Sequence, residues 1–382
     1  MREPTGREPD RTRGGRVWKL AGLAAVAGLA WAARDVPAQL GGRLTGARAE
    51  RAARSPRFRD GTFHNPAGAS ATMVADPGRN LLRELVFGKQ KRRPGSPVPL
   101  LRPGAAPTAA DPARELNVVW YGHASTLVEI EGQRVLLDPV WSDRCSPSGL
   151  VGPRRIHEPP VRLTDLPPLD AVLISHDHYD HLDMDTVRTL ADLQSAPFVV
   201  PLGVGAHLAR WGVPEHRIVE LDWSESHRAG GLTLTATAAQ HFSGRGLRRD
   251  GTLWSSWTIT GTHRKVFYTG DSGYFDGYAA IGAEHGPFDL TLMQIGAYDR
   301  AWPHIHMFPE EAVAAHLDVR GGLLVPVHWG TFNLALHDWS EPVDRLWAEA
   351  KARDVRLAVP RPGERVVVDE PPAVDGWWQS VA

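Results

Sequence analysis

The chain has 382 residues, 42% hydrophobic and 23% charged, with a formal net charge of −1. That is globular composition, long enough for a large core, and it gives no global field for nucleic acid or an anionic surface. The single cysteine, Cys145, excludes an intrachain disulfide.

Residues 1–33 begin with Arg2, Arg7, Arg11, Arg13 and Arg16, followed by an apolar run from Leu20 to Ala33. A basic start, a short apolar stretch and small residues predict a signal-like or membrane-anchor-like segment. The protein is then exported or membrane-associated; the alternative is an Ala-rich arm on a cytoplasmic protein. As a helix the run reaches about 21 Å, short of the roughly 30 Å hydrocarbon core, which favours a cleaved signal or shallow anchor over a spanning helix.

Residues 34–115 are rich in Arg, Gly, Pro and Ala and are expected to wrap the surface of the main domain. Arg79 to Phe87 reads as a short helix, and Pro94 to Pro112 as loop. The main domain is expected over 116–370. Val118–Tyr121, Thr126–Ile130 and Arg134–Leu137 read as a strand meander ending at Asp138-Pro139. Ala171 to Ser175 is a strand, Asp185 to Leu193 a helix, Phe198–Val200 a strand and Val204 to Trp211 a helix. Leu232 to Ala238 is a strand ending before Gln240-His241. Trp254–Thr260 and Val266–Thr269 form a hairpin around Gly261. Leu290–Ile295 and Leu323–Val327 are strands, Pro309–Leu317 and Pro342–Ala350 helices. Arg356–Val359 and Arg365–Val368 close the domain, and 371–382 is a polar tail with Trp377 and Trp378. Two meander-plus-helix halves suggest two mixed sheets with helices outside. The fourteen tryptophans are assigned to core and rim, or to an apolar site or membrane-facing belt.

The most informative stretch is Ser175-His176-Asp177-His178-Tyr179-Asp180-His181, directly after an apolar strand. Imidazole and carboxylate are the usual ligands of zinc and similar metals. The bland alternative is a solvated, His-rich loop. His241, Asp271 and His328 also follow apolar strands. Alone, His241 or His328 would be an ordinary core histidine; together the strand ends point to one shared site. Seven ligands exceed one tetrahedral zinc but suit two metals sharing a carboxylate. Asp271 is the natural bridge, because Gly270 lets the backbone turn tightly before it.

This pattern resembles the metallo-β-lactamase-fold hydrolases. Within them it is similar to the N-acylphosphatidylethanolamine-hydrolysing phospholipase D and RomA-like branch. The resemblance covers roughly Trp120 to Trp347 and rests on Gly122-His123-Ala124-Ser125, Leu137-Asp138-Pro139, Ser175 to Leu182, Gln240-His241 and Leu253 to Trp257. It continues through Gly270 to Tyr274, Gln294 to Tyr298, Pro309 to Ala312 and Val327 to Phe332. It implies an α+β, four-layer αββα sandwich, with a homodimer as one form.

By position, the resemblance implies that His176, His178 and His241 bind one zinc ion and Asp180, His181 and His328 a second, with Asp271 bridging; other divalent metals are an alternative. It implies a hydroxide between the metals that attacks phosphorus, releasing an N-acylethanolamine and leaving phosphatidic acid. Asp180, Asp271 and His306 are the expected catalytic residues, His306 contacting phosphate or the leaving oxygen. His123 and Asp138 are expected to support the ligands. The expected partner is a phospholipid or other phosphodiester, at a membrane surface, and not nucleic acid. Arg245, Arg248 and Arg249, beside His241, are read either as a solvated face or as an attractor of lipid phosphate. The alternatives are a dinuclear zinc lactone or ester hydrolase, and a non-catalytic membrane-associated metal- or lipid-binding protein. A β-lactamase or a nuclease has less support.

Overall fold

The computed structural model describes residues 34–66, 73–74, 78–103 and 112–382. The signal-like run of residues 1–33 lies outside these. Among the described residues no helix is long and apolar enough to cross a membrane.

The chain opens with helices α1 (Val36–Gln39) and α2 (Gly46–Arg54), the short strands β1 (Phe58–Arg59) and β2 (Thr62–Phe63), and helix α3 (Leu81–Phe87). The first sheet then forms from β3 (Leu116–Gly122), β4 (Ser125–Ile130), β5 (Gln133–Leu137), β6 (Ala171–Leu173), β7 (Phe198–Pro201) and β8 (Ile218–Leu221). Helix α4 (Met184–Leu193) precedes β7 and α5 (Gly205–Arg210) precedes β8. The second sheet forms from β9 (Ser226–Ala229), β10 (Leu232–Thr237), β11 (Ser256–Thr260), β12 (Lys265–Tyr268), β13 (Phe288–Gln294), β14 (Gly321–Val327) and β15 (Arg356–Leu357). Helices α6 (Gly277–His285), α7 (Pro309–Asp318) and α8 (Glu341–Ala352) separate its last strands. The final strand, β16 (Arg365–Val367), returns to the first sheet beside β3.

Both sheets have one plan. The first runs in the order β16-β3-β4-β5-β6-β7-β8, antiparallel as far as β5 and parallel beyond. The second is antiparallel from β9 to β12 and parallel from β12 to β15. Both have a covered outer face, so their strands read as nearly continuous apolar runs. Alternate side chains go to opposite faces. Val118, Trp120, Val128 and Leu173 meet Leu234, Trp257, Val266 and Leu290 between the sheets. Val119, Leu127, Val172 and Phe198 pack outward under Val187 and Leu190 of α4 and Leu208 of α5. Phe267 faces Tyr278 of α6 on the other outer surface. The result is a four-layer αββα sandwich.

The sequence pattern announces no element at β8, β9 or α6, for local reasons. Strand β9, Ser-His-Arg-Ala, is polar and half exposed. Helix α6 contains Gly282, which reads as a helix breaker, but a Cβ there would stand 2.2 Å from the Asp318 carbonyl oxygen. Glycine thus permits α6 to approach the end of α7 closely.

The described tryptophans are buried or half-buried and none is exposed, which makes them core residues rather than a membrane-facing belt. Trp120 stacks on Trp329 at 5.3 Å, and Trp329 also meets Trp377 and Trp378 from the C-terminal residues. The Trp378 indole is 0% exposed and donates to Asp344 Oδ1 at 2.8 Å. Trp378→Ala should therefore destabilise the fold by about 3–5 kcal/mol in denaturant titration, the range for emptying an aromatic core site.

His316 of α7 is also buried, with Nδ1 2.7 Å from Thr291 Oγ1. Burial pushes its pKa down to about 4. The unfolded chain takes up this proton at higher pH than the folded one, so the contribution to stability is complete above about pH 6.5 and is lost as pH falls toward 4. The loss is about 3 kcal/mol. Unfolding free energy measured against pH should fall less steeply over that window in His316→Asn than in the natural chain.

Candidate metal centre

The carboxyl ends of the central strands lie along one edge of the sandwich. His176, His178, Asp180 and His181 occupy the loop between β6 and α4. His241 follows β10, Asp271 follows β12, and His328 follows β14 directly. Gly270 takes a φ of +55°, and a Cβ there would stand 2.7 Å from Ser175 Cβ. Only glycine lets the Asp271 backbone come this close to the opposite sheet.

The donor atoms form two adjoining sets. In one, His178 Nδ1 lies 2.8 Å from His176 Nε2 and 3.3 Å from His241 Nε2. In the other, His181 Nε2 lies 3.1 Å from Asp271 Oδ2 and 3.5 Å from Asp180 Oδ2. His328 Nε2 lies 3.0 Å and 3.2 Å from the same two oxygens. Asp271 Oδ2 also stands 3.9 Å from both His176 Nε2 and His241 Nε2, between the two sets.

These spacings fit metal coordination. Ligand atoms about 2.0–2.1 Å from a tetrahedral ion are about 3.3 Å apart. The imidazole tautomers agree. His241 Nδ1 donates to the Ile305 carbonyl at 3.0 Å, and His181 Nδ1 donates to Asp138 Oδ2 at 2.7 Å. Both rings therefore turn their Nε2 atoms inward. Among the described residues, Asp271 Oδ1 is buried without a hydrogen-bond partner, and His181 Nε2 has only the Asp271 Oδ2 approach given above. Such orphans are expensive in a core unless a ligand satisfies them.

The electrostatics of the two sets differ. Burial pushes His176 and His241 well below the ordinary histidine range. Burial opposes charge on His181 and His328 as well, but Asp271 and Asp180 outweigh it, holding His181 well above that range and His328 up at about 8. His181 in turn holds Asp180 and Asp271 well below the carboxylate range, against the effect of burial. One set presents neutral nitrogens and the other a paired positive and negative cluster. A cation entering the second set displaces protons.

Asp138, at the end of β5, is fully buried. It accepts from Ser175 N at 2.7 Å, from Ser175 Oγ at 2.5 Å, from His181 Nδ1, and from the Tyr268 hydroxyl across the sandwich. His123, in the β3–β4 turn, donates from Nε2 to Asp180 Oδ2 at 2.9 Å. His306, between β13 and α7, brings Nδ1 to 3.8 Å from Asp271 Oδ2. All ten residues singled out in the sequence thus converge on this edge.

Arg245 differs from its expectation. Its guanidinium is neither solvated nor turned to a ligand: Nη1 donates to the carbonyls of Asp177 (2.8 Å) and Leu182 (2.6 Å), and Nε to that of Gln39 (2.8 Å). It laces the motif loop from behind, while Arg248 and Arg249 are exposed. Sequence reasoning missed Ser175 and Tyr268 as partners of Asp138, and Asn65, which holds the His241 backbone. Ser175 stood in the motif itself; nothing in the spacing of Tyr268 or Asn65 marks them.

The family described as "Beta-lactamase superfamily domain" matches residues 133–329. An uncharacterized protein of Mycobacterium tuberculosis is 52% identical over 94% of this chain and 97% of its own length. An N-acyl-phosphatidylethanolamine-hydrolyzing phospholipase D of Caenorhabditis elegans is 39% identical over 63% of this chain and 71% of its own. Among solved structures, a metallo hydrolase of the archaeon Ignicoccus hospitalis shares the fold, with TM-score 0.50 and 22% identity over 66% of this chain and 97% of that one. The matched span contains the motif loop and the ends of β10, β12 and β14, and the chain therefore belongs to the metallo-β-lactamase superfamily of metal-dependent hydrolases.

Proposed function

We propose that this protein is a phosphodiesterase of phospholipase D type, cleaving N-acylphosphatidylethanolamine-like lipids with two bound divalent ions. The observation that carries this reading is its 39% identity with the nematode phospholipase across 71% of that enzyme. His176, His178 and His241 would hold one ion, Asp180, His181 and His328 the other, and Asp271 both. The mixed nitrogen and carboxylate donors suit zinc. Bound ions at such a site lower the pKa of water toward 7 and polarise a phosphoryl oxygen.

The remaining work falls to the chain's own residues. Asp138 and His123 keep His181 and Asp180 aimed inward through the hydrogen bonds given above. The His306 side chain is 14% exposed, more than that of His176, His181, His241 or His328, and burial pushes its pKa down to about 3. It is therefore neutral near pH 7 and carries one N–H, which suits it to hydrogen-bond the leaving alkoxide oxygen. Water oxygen joins phosphorus, the phosphorus–oxygen bond to the N-acylethanolamine breaks, one water proton ends on the departing alkoxide oxygen to release the alcohol, and phosphatidic acid remains. An apolar pocket of about 470 Å³, lined by Leu81, Trp302, Leu334 and Leu336, shares Asn333 and Leu334 with the cleft under His123 and His328. It offers hydrocarbon a place near the phosphate. The substrate brings the protein to a membrane surface.

Metal analysis of the purified chain should give two divalent ions per chain. Asp271→Ala should lose ions and lower kcat by at least about 10³-fold, because it removes the shared ligand. Asp138→Asn should weaken metal affinity about 10–100-fold and also lower Tm, because its amide NH₂ meets a buried donor. Full activity after chelation would refute the metal chemistry.

The substrate assignment is checked on a panel of N-acylphosphatidylethanolamine, a chromogenic phosphodiester and a lactone. Release of N-acylethanolamine is the expected result, with His306→Ala lowering kcat more than it raises KM. Turnover of the lactone alone would replace this reading with that of an ester hydrolase of the same fold.

A further inference from the structure

His176 and His178 are held by the loop that carries them, but His241 stands alone beyond the end of β10. Its main chain is gripped by one side chain from far away in sequence. Asn65 Nδ2 donates to the His241 carbonyl at 2.7 Å, and Asn65 Oδ1 accepts from the His241 N–H at 2.9 Å. The amide orientation is determined, because Oδ1 also accepts from the Trp254 indole N–H at 3.1 Å. Turning the amide over would set its NH₂ against two donors.

Asn65 is itself on a fixed support. It follows β2, whose Phe63 is 2% exposed and packs on Phe58 with ring centres 4.8 Å apart. Phe63 N donates to the Asp250 carbonyl at 2.8 Å, and His64 N to that of Arg57 at 2.9 Å. Phe63 and Ala52 of α2 share a buried cluster with Trp223, Leu253 and Trp254. This segment precedes the span matched by the family, residues 133–329.

We propose that Asn65 is a positioning residue of the metal centre: by clamping both main-chain groups of His241, it sets the affinity of the ion shared by His176, His178 and His241. The inference rests on the reading that this histidine set holds an ion. His241 has its ring fixed by Ile305 and its backbone by Asn65. Loss of either clamp lets Nε2 drift from the 3.3 Å spacing to His178 that coordination requires.

The test compares the full-length natural chain with Asn65→Ala, Asn65→Asp and Phe63→Leu. The aspartate keeps the acceptor but opposes a carboxylate oxygen to the His241 carbonyl. Phe63→Leu loosens the same segment without touching His241. Zinc stoichiometry and stepwise affinity are read by competition with a chromogenic chelator, and ligand geometry by the absorption spectrum of the cobalt-substituted protein. Both Asn65 variants should lose about 10–100-fold in affinity for one of two ions and keep the other. Phe63→Leu should lower Tm yet retain both ions and the natural spectrum. A natural chain that takes up no ion overturns the metal reading beneath the proposal. With the natural chain loaded, the proposal alone is overturned if the Asn65 variants bind both ions with unchanged affinity, or if Phe63→Leu loses an ion equally.

Discussion

Everything at the reactive edge depends on one buried carboxylate, that of Asp138. It ends β5 in the first sheet, takes two hydrogen bonds from Ser175, orients His181, and receives the Tyr268 hydroxyl from β12 in the second sheet. A fully buried carboxylate is unfavourable unless its lone pairs are all engaged. Asp138 is engaged by groups from the motif loop and from β12, so the fold cannot satisfy it without also aligning the two sheets and the motif loop. Trp257 donating to the Ile174 carbonyl at 3.1 Å and Ser255 N to that of Ser175 at 2.9 Å fix the same junction. The demand for cations then follows. Asp180 and Asp271 add negative charge to a site from which water is nearly excluded, and histidines alone neutralise it only by holding protons.

The same edge stores backbone strain. His123, Asp138, Ala297 and His328 all take left-handed φ values, 51°, 37°, 61° and 63°. Each costs on the order of 1–3 kcal/mol for a residue with a side chain, and such residues persist only where their surroundings over-determine them. Here His328 N donates to the His123 carbonyl at 2.9 Å, and His123 N to Thr331 Oγ1 at 2.7 Å. The sharp turns direct the side chains along the strand axes instead of across the sheet. A relaxed strand end would send His328 into one face of the sandwich.

Much of this was legible in the sequence because metal-ligating residue types at strand ends leave a local signature: an apolar run, then His or Asp. The motif loop and the placement of His241, Asp271 and His328 could be read that way, as could the two-halved sandwich, whose strands are apolar on both faces. What escaped lacks such a signature. Strand β9 is polar and half exposed, and α6 has no amphipathic period because Gly282 replaces a side chain with a close backbone approach. The run of Arg245, Arg248 and Arg249 suggested a solvated face or an attractor of lipid phosphate. Nothing local reveals the three carbonyls that bury the Arg245 guanidinium, because two belong to the motif loop and one to α1. Asn65 is one polar residue before a proline, and its partner is 176 positions away.

Described residues of the early chain, 73–74 and 78–103, brace the loops of the reactive edge. Arg79 pairs bidentately with Asp299 at 2.6 and 3.0 Å, and Val74 N donates to the Ala301 carbonyl at 2.7 Å. Both contacts fall on the loop that carries His306. Lys91 N donates to Asp338 Oδ1 at 2.6 Å and its carbonyl accepts from Trp339 N at 2.9 Å, beyond His328. These loops line the apolar pocket, and long loops have little intrinsic order. The sheets supply the donor atoms, while the early segment supplies the rigidity that lets loops keep a substrate-sized surface beside them. The early segment thus serves both sides of the edge: Asn65 holds the His241 backbone, while Arg79 and Lys91 brace the loops beside the apolar pocket.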